Sequence, residues 1–383
     1  MPVVSDPRKI LLVTNDLGPR SGGIETFIHG LLAKLDGKQI AIYTSSQTDD
    51  LAFDRELTAK YGLIIYRDRS KVLLPSPRTI RAVKKVMHIH NCKTIWFGAA
   101  APLGLMAPNL RRAGAERVIA LTHGHEVWWG KVPGFKYALR RIAKSADVLT
   151  YLGGYTGAEI SKTIGERSEF VQISPGIATD FFIPGPKPED LIAKYKLGNR
   201  PTLVCVGRLV HRKGQDKLIS AMPLIKAAIP GAILLIIGSG PRESYLRQLV
   251  TKFNLVNDVI FLGRVSYDQL PKHMLLGDVF VAPSRSRLGG LEVEGLGIVY
   301  LEASSCGLAV IAGDSGGSPD AVQMNKTGLV VDGTNVKEIS DACIKLLSQP
   351  ELAAQFGANG RNWAVEHWNW DNWGAKFAEI LEG

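Results

Sequence analysis

No stretch of the 383-residue chain approaches the run of ~20 apolar residues that a membrane-spanning helix needs. The opening residues, MPVVSDPRKILLVTND, show no basic segment followed by a long apolar one, so no secretory signal is expected. Cysteine is scarce. Cys92, Cys205, Cys306 and Cys343 are scattered, and no C-x-x-C pair occurs. That argues against a disulfide framework or a zinc site and suits a reducing cytoplasm. Acidic residues are scarce in one region: residues 60–144 carry 17 Lys and Arg against 3 Asp and Glu. Such an imbalance points either to a polyanionic partner or to a solvated basic face. The chain also lacks an aromatic-studded RNA motif, a zinc finger and a helix-turn-helix. Nucleic-acid binding is therefore discounted despite a net charge of +10.

An apolar content of 45% and a charged content of 21% describe an ordinary globular protein, and the length calls for two domains. Apolar runs at 10–13, 40–45, 63–67, 94–100, 117–123 and 147–152 read as buried strands. Helical or irregular segments separate them; in the first, Ile24, Phe27, Ile28, Leu31, Leu32 and Leu35 mark one buried face. Between 174 and 190, Pro175, Pro184, Pro186 and Pro188 interrupt all periodicity, which places a domain boundary. The alternation then restarts: a strand at 202–209, a helix at 217–228, a strand at 232–240, and shorter strands in VIFLGRV, DVFVAPS, LAVIAGD and GLVVD. The fold class is α/β, with two doubly wound parallel-sheet domains.

Ligands of such sheets bind beyond the carboxyl ends of the strands, so the loops there carry the candidate chemistry. Gly22 and Gly23 follow the first strand and open a helix. They could admit a ligand backbone-close, or form a plain tight turn; they do not make a G-x-G-x-x-G fingerprint. Arg208 and Lys213 in GRLVHRKGQD suit a diphosphate, against the alternative of two surface charges. His123 and His125 in LTHGHE can serve a substrate hydroxyl or developing charge; zinc would need a third ligand that the spacing does not offer. Glu294 and Glu302 bracket GLGIVYL. Gly295 and Gly297 delay the helix until Ile298, and it ends at Gly307. This lets a loop carboxylate and a helix carboxylate reach one ligand, one taking a ribose diol and the other a sugar hydroxyl, with the amides of Gly297, Ile298 and Val299 facing it, against the alternative of two solvated glutamates.

Glu294 and Glu302 match the E-x7-E motif, and with the Arg–Lys loop, SGG at 21–23 and THGHE the chain resembles the retaining glycosyltransferases of family 4. Four stretches, TNDLGPRSGGIE, WFGAAAPLGLMA, THGHEVWW and LEVEGLGIVYLEA, are similar to those of actinobacterial GDP-mannose-dependent phosphatidylinositol monomannoside α-1,6-mannosyltransferases. The resemblance implies a GT-B fold: Rossmann-like domains over 1–176 and 177–365 facing a cleft, with a final helix, 366–383, crossing back to the first. It implies that Arg208 and Lys213 hold the diphosphate of GDP-mannose, Glu302 the ribose, and Glu294 with the amides at 297–299 the mannose and phosphate. His123 would contact mannose near the reacting carbon, backbone near Arg264 and Val265 the base, and Gly22 and Gly23 the diphosphate, with Asp16 and His125 on the acceptor side. Ala178, Gly153, Gly154 and Ala309 depart from residues usual in the family without touching the donor motifs.

The resemblance further implies transfer with retention, by same-face attack through an oxocarbenium-like transition state in which the leaving phosphate takes the acceptor's proton. No metal or cofactor is then expected, since Arg208, Lys213 and a helix N-terminus supply the positive field. The basic region 60–144, with VWW at 127–129 and Lys131 and Lys136 nearby, is expected to meet the cytoplasmic face of an anionic membrane that carries the lipid acceptor. The competing readings are a different sugar nucleotide or a soluble acceptor, and a sugar-nucleotide 2-epimerase of the same fold, which the E-x7-E and Arg–Lys motifs oppose.

Overall fold

The computed structural model describes residues 9–20, 22–165 and 168–383. They form two compact units: the residues up to Gly176 together with Trp370–Gly383, and Ile177–Asn369.

The first unit is built on β1 (Ile10–Thr14), β2 (Ile40–Thr44), β3 (Ile64–Arg67), β4 (Thr94–Phe97), β5 (Arg117–Ala120), β6 (Val148–Tyr151) and β7 (Glu169–Gln172). All pair in parallel, in the order β3-β2-β1-β4-β5-β6-β7. The order reverses at β1, which lies between β2 and β4, so the crevice beyond the carboxyl ends of β1 and β4 is where such a sheet takes a ligand. β7 escapes the periodicity reading. Its four residues, EFVQ, are half-exposed at the sheet edge, where neither a continuous apolar run nor a clean alternation is required.

The second unit carries β8 (Thr202–Val206), β9 (Ile233–Ile237), β10 (Val259–Gly263), β11 (Val279–Ala282), β12 (Ala309–Gly313) and β13 (Gly328–Val331). Their parallel order is β10-β9-β8-β11-β12-β13. β8, β9, β11 and β12 are buried along their whole length, which explains why they read as unbroken apolar runs. Here the order reverses at β8, between β9 and β11. The four cysteines are buried and free. No helix among the described residues is long and apolar enough to cross a membrane.

The final helix, Trp370–Glu382, belongs to the first unit. Phe377 packs edge-on to Trp96 of β4 with ring centroids 4.9 Å apart, and both rings are fully buried. Arg117 Nε donates to the Ile380 carbonyl at 2.8 Å, and Lys34 pairs with Asp371 at 2.6 Å. The return begins at Trp370 rather than at 366. The helix Pro350–His367 stays with the second unit, and Asn369 is still bridged to Ile177 there.

Replacing Phe377 by alanine empties the space under Trp96. The expected cost is about 3–5 kcal/mol, seen as a lower urea midpoint for the unfolding step of the first unit; an unshifted midpoint would show that the helix is not part of that unit's core.

Candidate active site

In the second unit, β8 ends at Val206 and leads through Gly207 and Arg208 into a short 3-10 turn, His211–Lys213. Gly214 (φ +73°) closes this turn and starts the helix Gln215–Ala228. A Cβ at Gly214 would lie 1.9 Å from the Pro283 carbonyl oxygen, so only glycine lets the loop fold down against the end of β11. That approach brings Lys213 to Glu294: the Nζ–Oε2 distance is 2.7 Å. Arg212 reaches the same oxygen at 2.6 Å. Burial on its own would raise the Glu294 carboxyl, but Lys213 and Arg212 outweigh it and hold it below its ordinary value.

The loop bearing Glu294 is itself fastened. Its amide donates to Ser315 Oγ at 3.3 Å, and its carbonyl accepts the Gly317 amide at 2.8 Å. Gly297 (φ +80°) then caps the helix Ile298–Ser305, where a Cβ would strike the Tyr300 ring at 2.4 Å. Tyr300 is buried and its hydroxyl donates to the Ala282 carbonyl at 2.7 Å, tying this helix to β11. Gly307 (φ +80°) and the Leu308 amide, bonded to the Ala303 carbonyl at 3.1 Å, end the helix where the glycine pattern indicates. Glu302 lies inside it, buried, and no hydrogen bond or ion pair to its carboxylate occurs among the described residues. Burial pushes this carboxyl up to about 7.

Arg208 is exposed and its guanidinium has no partner among the described residues, so it is available to an anion at the end of β8. His211 is held below its ordinary value first by burial and then by Arg285, Arg242 and Arg287, a sign that the surroundings of the loop are strongly positive. Val265 follows β10 at the sheet edge, half-buried, and Arg264 is exposed.

The first unit gathers a second cluster. Gly22 is the extended cap of the helix Gly23–Leu32, and Gly23 opens onto free space; Ser21, of the SGG stretch, lies outside the described residues. His123 follows β5. Its Nε2 meets the Gly98 carbonyl at 2.6 Å, so Nε2 carries the proton and donates, leaving Nδ1 as an acceptor in the neutral ring. Burial lowers His123 more than Glu126 raises it, and the ring stays neutral. His125 stacks on it with centroids 6.5 Å apart. Asp16 is raised by burial and then by Glu25, against the opposing charges of Arg20 and His125.

Several residues of both clusters escaped sequence reasoning. Arg212 looks like one cation among several in VHRKG. Buried Glu126 accepts the His123 amide at 2.9 Å and lies 3.1 Å from His125 Nε2. Buried Glu25 holds Arg20 at 3.0 Å. Tyr267, half-exposed and stacked on Phe181 at 5.3 Å, is within the electrostatic reach of Glu302. The available signal was a lone carboxylate on an otherwise apolar helix face for Glu25 and Glu126; Arg212 and Tyr267 carried none.

Comparison with known proteins places this geometry in a family. Residues 187–363 match the model of the glycosyl transferases group 1. Over 379 residues, 98% of each chain, the protein is 44% identical to the GDP-mannose-dependent α-(1-6)-phosphatidylinositol monomannoside mannosyltransferase of Mycobacterium tuberculosis. The chain belongs to the group 1 glycosyltransferases. It is 42% identical, over 99% of each chain, to the GDP-mannose-dependent monoacylated α-(1-6)-phosphatidylinositol monomannoside mannosyltransferase of Corynebacterium glutamicum. Among solved structures, HepE from Anabaena in complex with UDP matches with a TM-score of 0.81 at 18% identity, covering 98% and 99% of the two chains. Sucrose-phosphate synthase from Thermosynechococcus elongatus matches at 0.78 and 21%, covering 98% of each. The glycosyltransferase thus has the GT-B fold, with its Arg–Lys loop and both motif glutamates inside the residues matched by the family model.

Burial leaves the free Glu302 carboxyl about half protonated near pH 7, so a ligand whose hydroxyls donate to it would favour the ionised form and expel the proton. Nucleoside diphosphate binding at pH 7 should release about half a proton through this group. The readout is the dependence of the calorimetric heat on buffer ionisation, and the difference should vanish in Glu302→Gln. The same group works in the opposite sense on the unliganded protein. Its folded value lies above its unfolded value of 4.5, so stability gains as the pH falls from about 7 toward 4.5.

Proposed function

We propose that this glycosyltransferase moves mannose from GDP-mannose onto a phosphatidylinositol monomannoside, forming an α-1,6 linkage with retention, without a metal ion, at the surface of an anionic membrane. The observation that carries the reading is the half-buried Glu294 carboxylate ion-paired to Lys213 at the carboxyl end of β8, with Arg208, on the same loop, without a partner among the described residues. The names of full-length relatives at 42–44% identity support the donor, the acceptor and the linkage.

On this reading Arg208 and Lys213 take the two phosphates of the donor, Glu302 the ribose hydroxyls, and Glu294 a mannose hydroxyl. The Lys213–Glu294 contact means that sugar and diphosphate share one short stretch of site, so the scissile anomeric C–O bond falls beside the cation that receives its electrons. As that bond lengthens, charge builds on the leaving phosphate oxygen. Lys213, Arg208 and the amides at Gly297–Val299 stabilise it, which is the largest contribution such a site can make. The acceptor hydroxyl attacks from the same face and its proton passes to the departing phosphate. His123, neutral and fixed through Nε2, offers only Nδ1 as an acceptor and fits the positioning of a sugar hydroxyl rather than proton donation. The uneven charge of the first unit, concentrated in residues 60–144, supports association with an anionic lipid surface. The C. glutamicum relative, named for a monoacylated acceptor, makes the acyl state of the acceptor part of the test.

A second reading keeps the site and changes the donor: HepE was solved with UDP. Calorimetric titration with GDP, UDP and ADP in the presence of EDTA separates the two. Tight binding of GDP alone supports the mannosyl donor; preference for UDP removes it, and loss of binding on chelation removes the metal-free mechanism. Lys213→Ala leaves Glu294 paired with Arg212, so the protein should fold, while mannosyl transfer falls about 10²–10³-fold. Near-normal turnover in that variant would end the assignment of Lys213 to the leaving phosphate.

A further inference from the structure

The first unit holds a second basic site that the donor and acceptor chemistry does not use. A concavity of about 750 Å³ lies between the helices Pro133–Ser145 and Gly154–Ile164, and Tyr137, Arg140, Arg141, Lys144 and Lys162 line it. Tyr137, Arg140, Arg141 and Lys144 recur at three- and four-residue spacing, so one face of the first helix presents them all. Arg140 is partly committed: its Nε donates to the Thr163 carbonyl at 3.0 Å, in the last turn of the second helix. Lys162 pairs with Glu159. Arg141 and Lys144 are exposed, and their side chains have no partner among the described residues. Like charges crowded round one hollow repel each other unless a counter-ion occupies it.

Its position separates it from the catalytic end. The helix Pro133–Ser145 starts close in sequence to His123 and Glu126 and ends just before β6; Gly165, also lining the hollow, precedes β7. The basic hollow therefore sits toward the amino ends of β6 and β7, whereas the loop that carries His123 follows the carboxyl end of the parallel strand β5. A ligand held here is not the acceptor in its reactive position.

We propose that this hollow binds a phosphorylated headgroup, that of an anionic membrane lipid, as an anchoring site distinct from the acceptor site. Two guanidinium groups supply planar forks that match phosphate oxygens, and Lys144 and Lys162 add ammonium donors. Tyr137 is 69% exposed and combines an apolar ring with a hydroxyl, as a side chain at the boundary between headgroups and water does. The volume suits a headgroup rather than a lone ion. This deepens the membrane part of the proposed function and rests on it for the lipid source; the same phosphate chemistry could come from a water-soluble phosphodiester.

The test uses the full chain and the double variant Arg141→Gln/Lys144→Gln, beside a control of equal charge change on the second unit, Lys326→Gln/Lys345→Gln. Co-sedimentation with phosphatidylcholine vesicles, with and without phosphatidylinositol, reads the lipid arm. Calorimetry with glycerophosphoinositol reads the soluble arm. A cation near an anionic surface contributes about fivefold in binding, so the double variant should bind the charged vesicles roughly 25-fold more weakly while the control does not change. Loss confined to vesicles identifies the bilayer headgroup; saturable glycerophosphoinositol binding that the double variant loses identifies the free phosphodiester. Equal loss in both variants, no loss in either, or no binding by the parent chain overturns the site. Mannosyl transfer in detergent micelles, measured in parallel, stands or falls without reference to this hollow, so a failed activity assay and a failed anchoring assay remain distinguishable.

Discussion

A carboxylate drawn out of water must be neutralised or paired, and the half-buried Glu294 is paired twice. The local architecture of the second unit follows from that requirement. Lys213 and Arg212 can reach Glu294 only because Gly214 lets the loop after β8 fold against the end of β11. Glu294 is presented only because its own loop is fastened to Ser315 and Gly317 after β12. Loops after three neighbouring parallel strands, β8, β11 and β12, therefore converge on one ion triad. It is a polarised place, with an ionised carboxylate beside two cations. The exposed Arg208 extends the positive side, and Glu302, without a partner among the described residues, is raised by burial.

The two motif glutamates are chemically unlike, and environment alone makes them so. Glu294 is held ionised by adjacent cations; Glu302, with no cation beside it, is pushed up by burial. The cluster of the first unit shows the same logic with other groups. Buried Glu126 fixes the backbone of His123 and faces the ring of His125, and the Gly98 carbonyl sets which nitrogen of His123 bears its proton. Asp16 and Glu25 crowd one another and share Arg20. Each unit thus prepares charges and lone pairs before any substrate arrives, so that little reorganisation is left to the reaction.

Both sheets were legible as alternating apolar runs, because central parallel strands are covered on both faces and must be apolar throughout. Edge strand β7 was not, since its half-exposed residues meet no such demand. The start of the helix at Ile298 and its end at Gly307 were legible too, as left-handed backbone at Gly297 and Gly307 leaves a local mark in residue choice. The positions of Arg208 and Lys213 after a strand, and of Glu294 before and Glu302 inside a helix, were legible too; the ligand roles expected of them were not written in that placement. Arg212 was not legible, because nothing in its neighbourhood distinguishes it from Arg208; its role comes from a carboxylate 82 positions away. Tyr267, 35 positions before Glu302, feels its charge only in the folded chain.

The amino-acid sequence by itself determined the local features: which runs are buried strands, where glycine permits a turn, and which charges stand at the carboxyl ends of the sheet. Those follow from interactions a few residues long, periodicity and backbone sterics among them. The tertiary structure alone decided which charges meet. Crossover connections bring residues of distant strands to the same edge, and only there does burial set Glu302 high, do two cations hold Glu294 low, and is Arg208 left without a partner among the described residues.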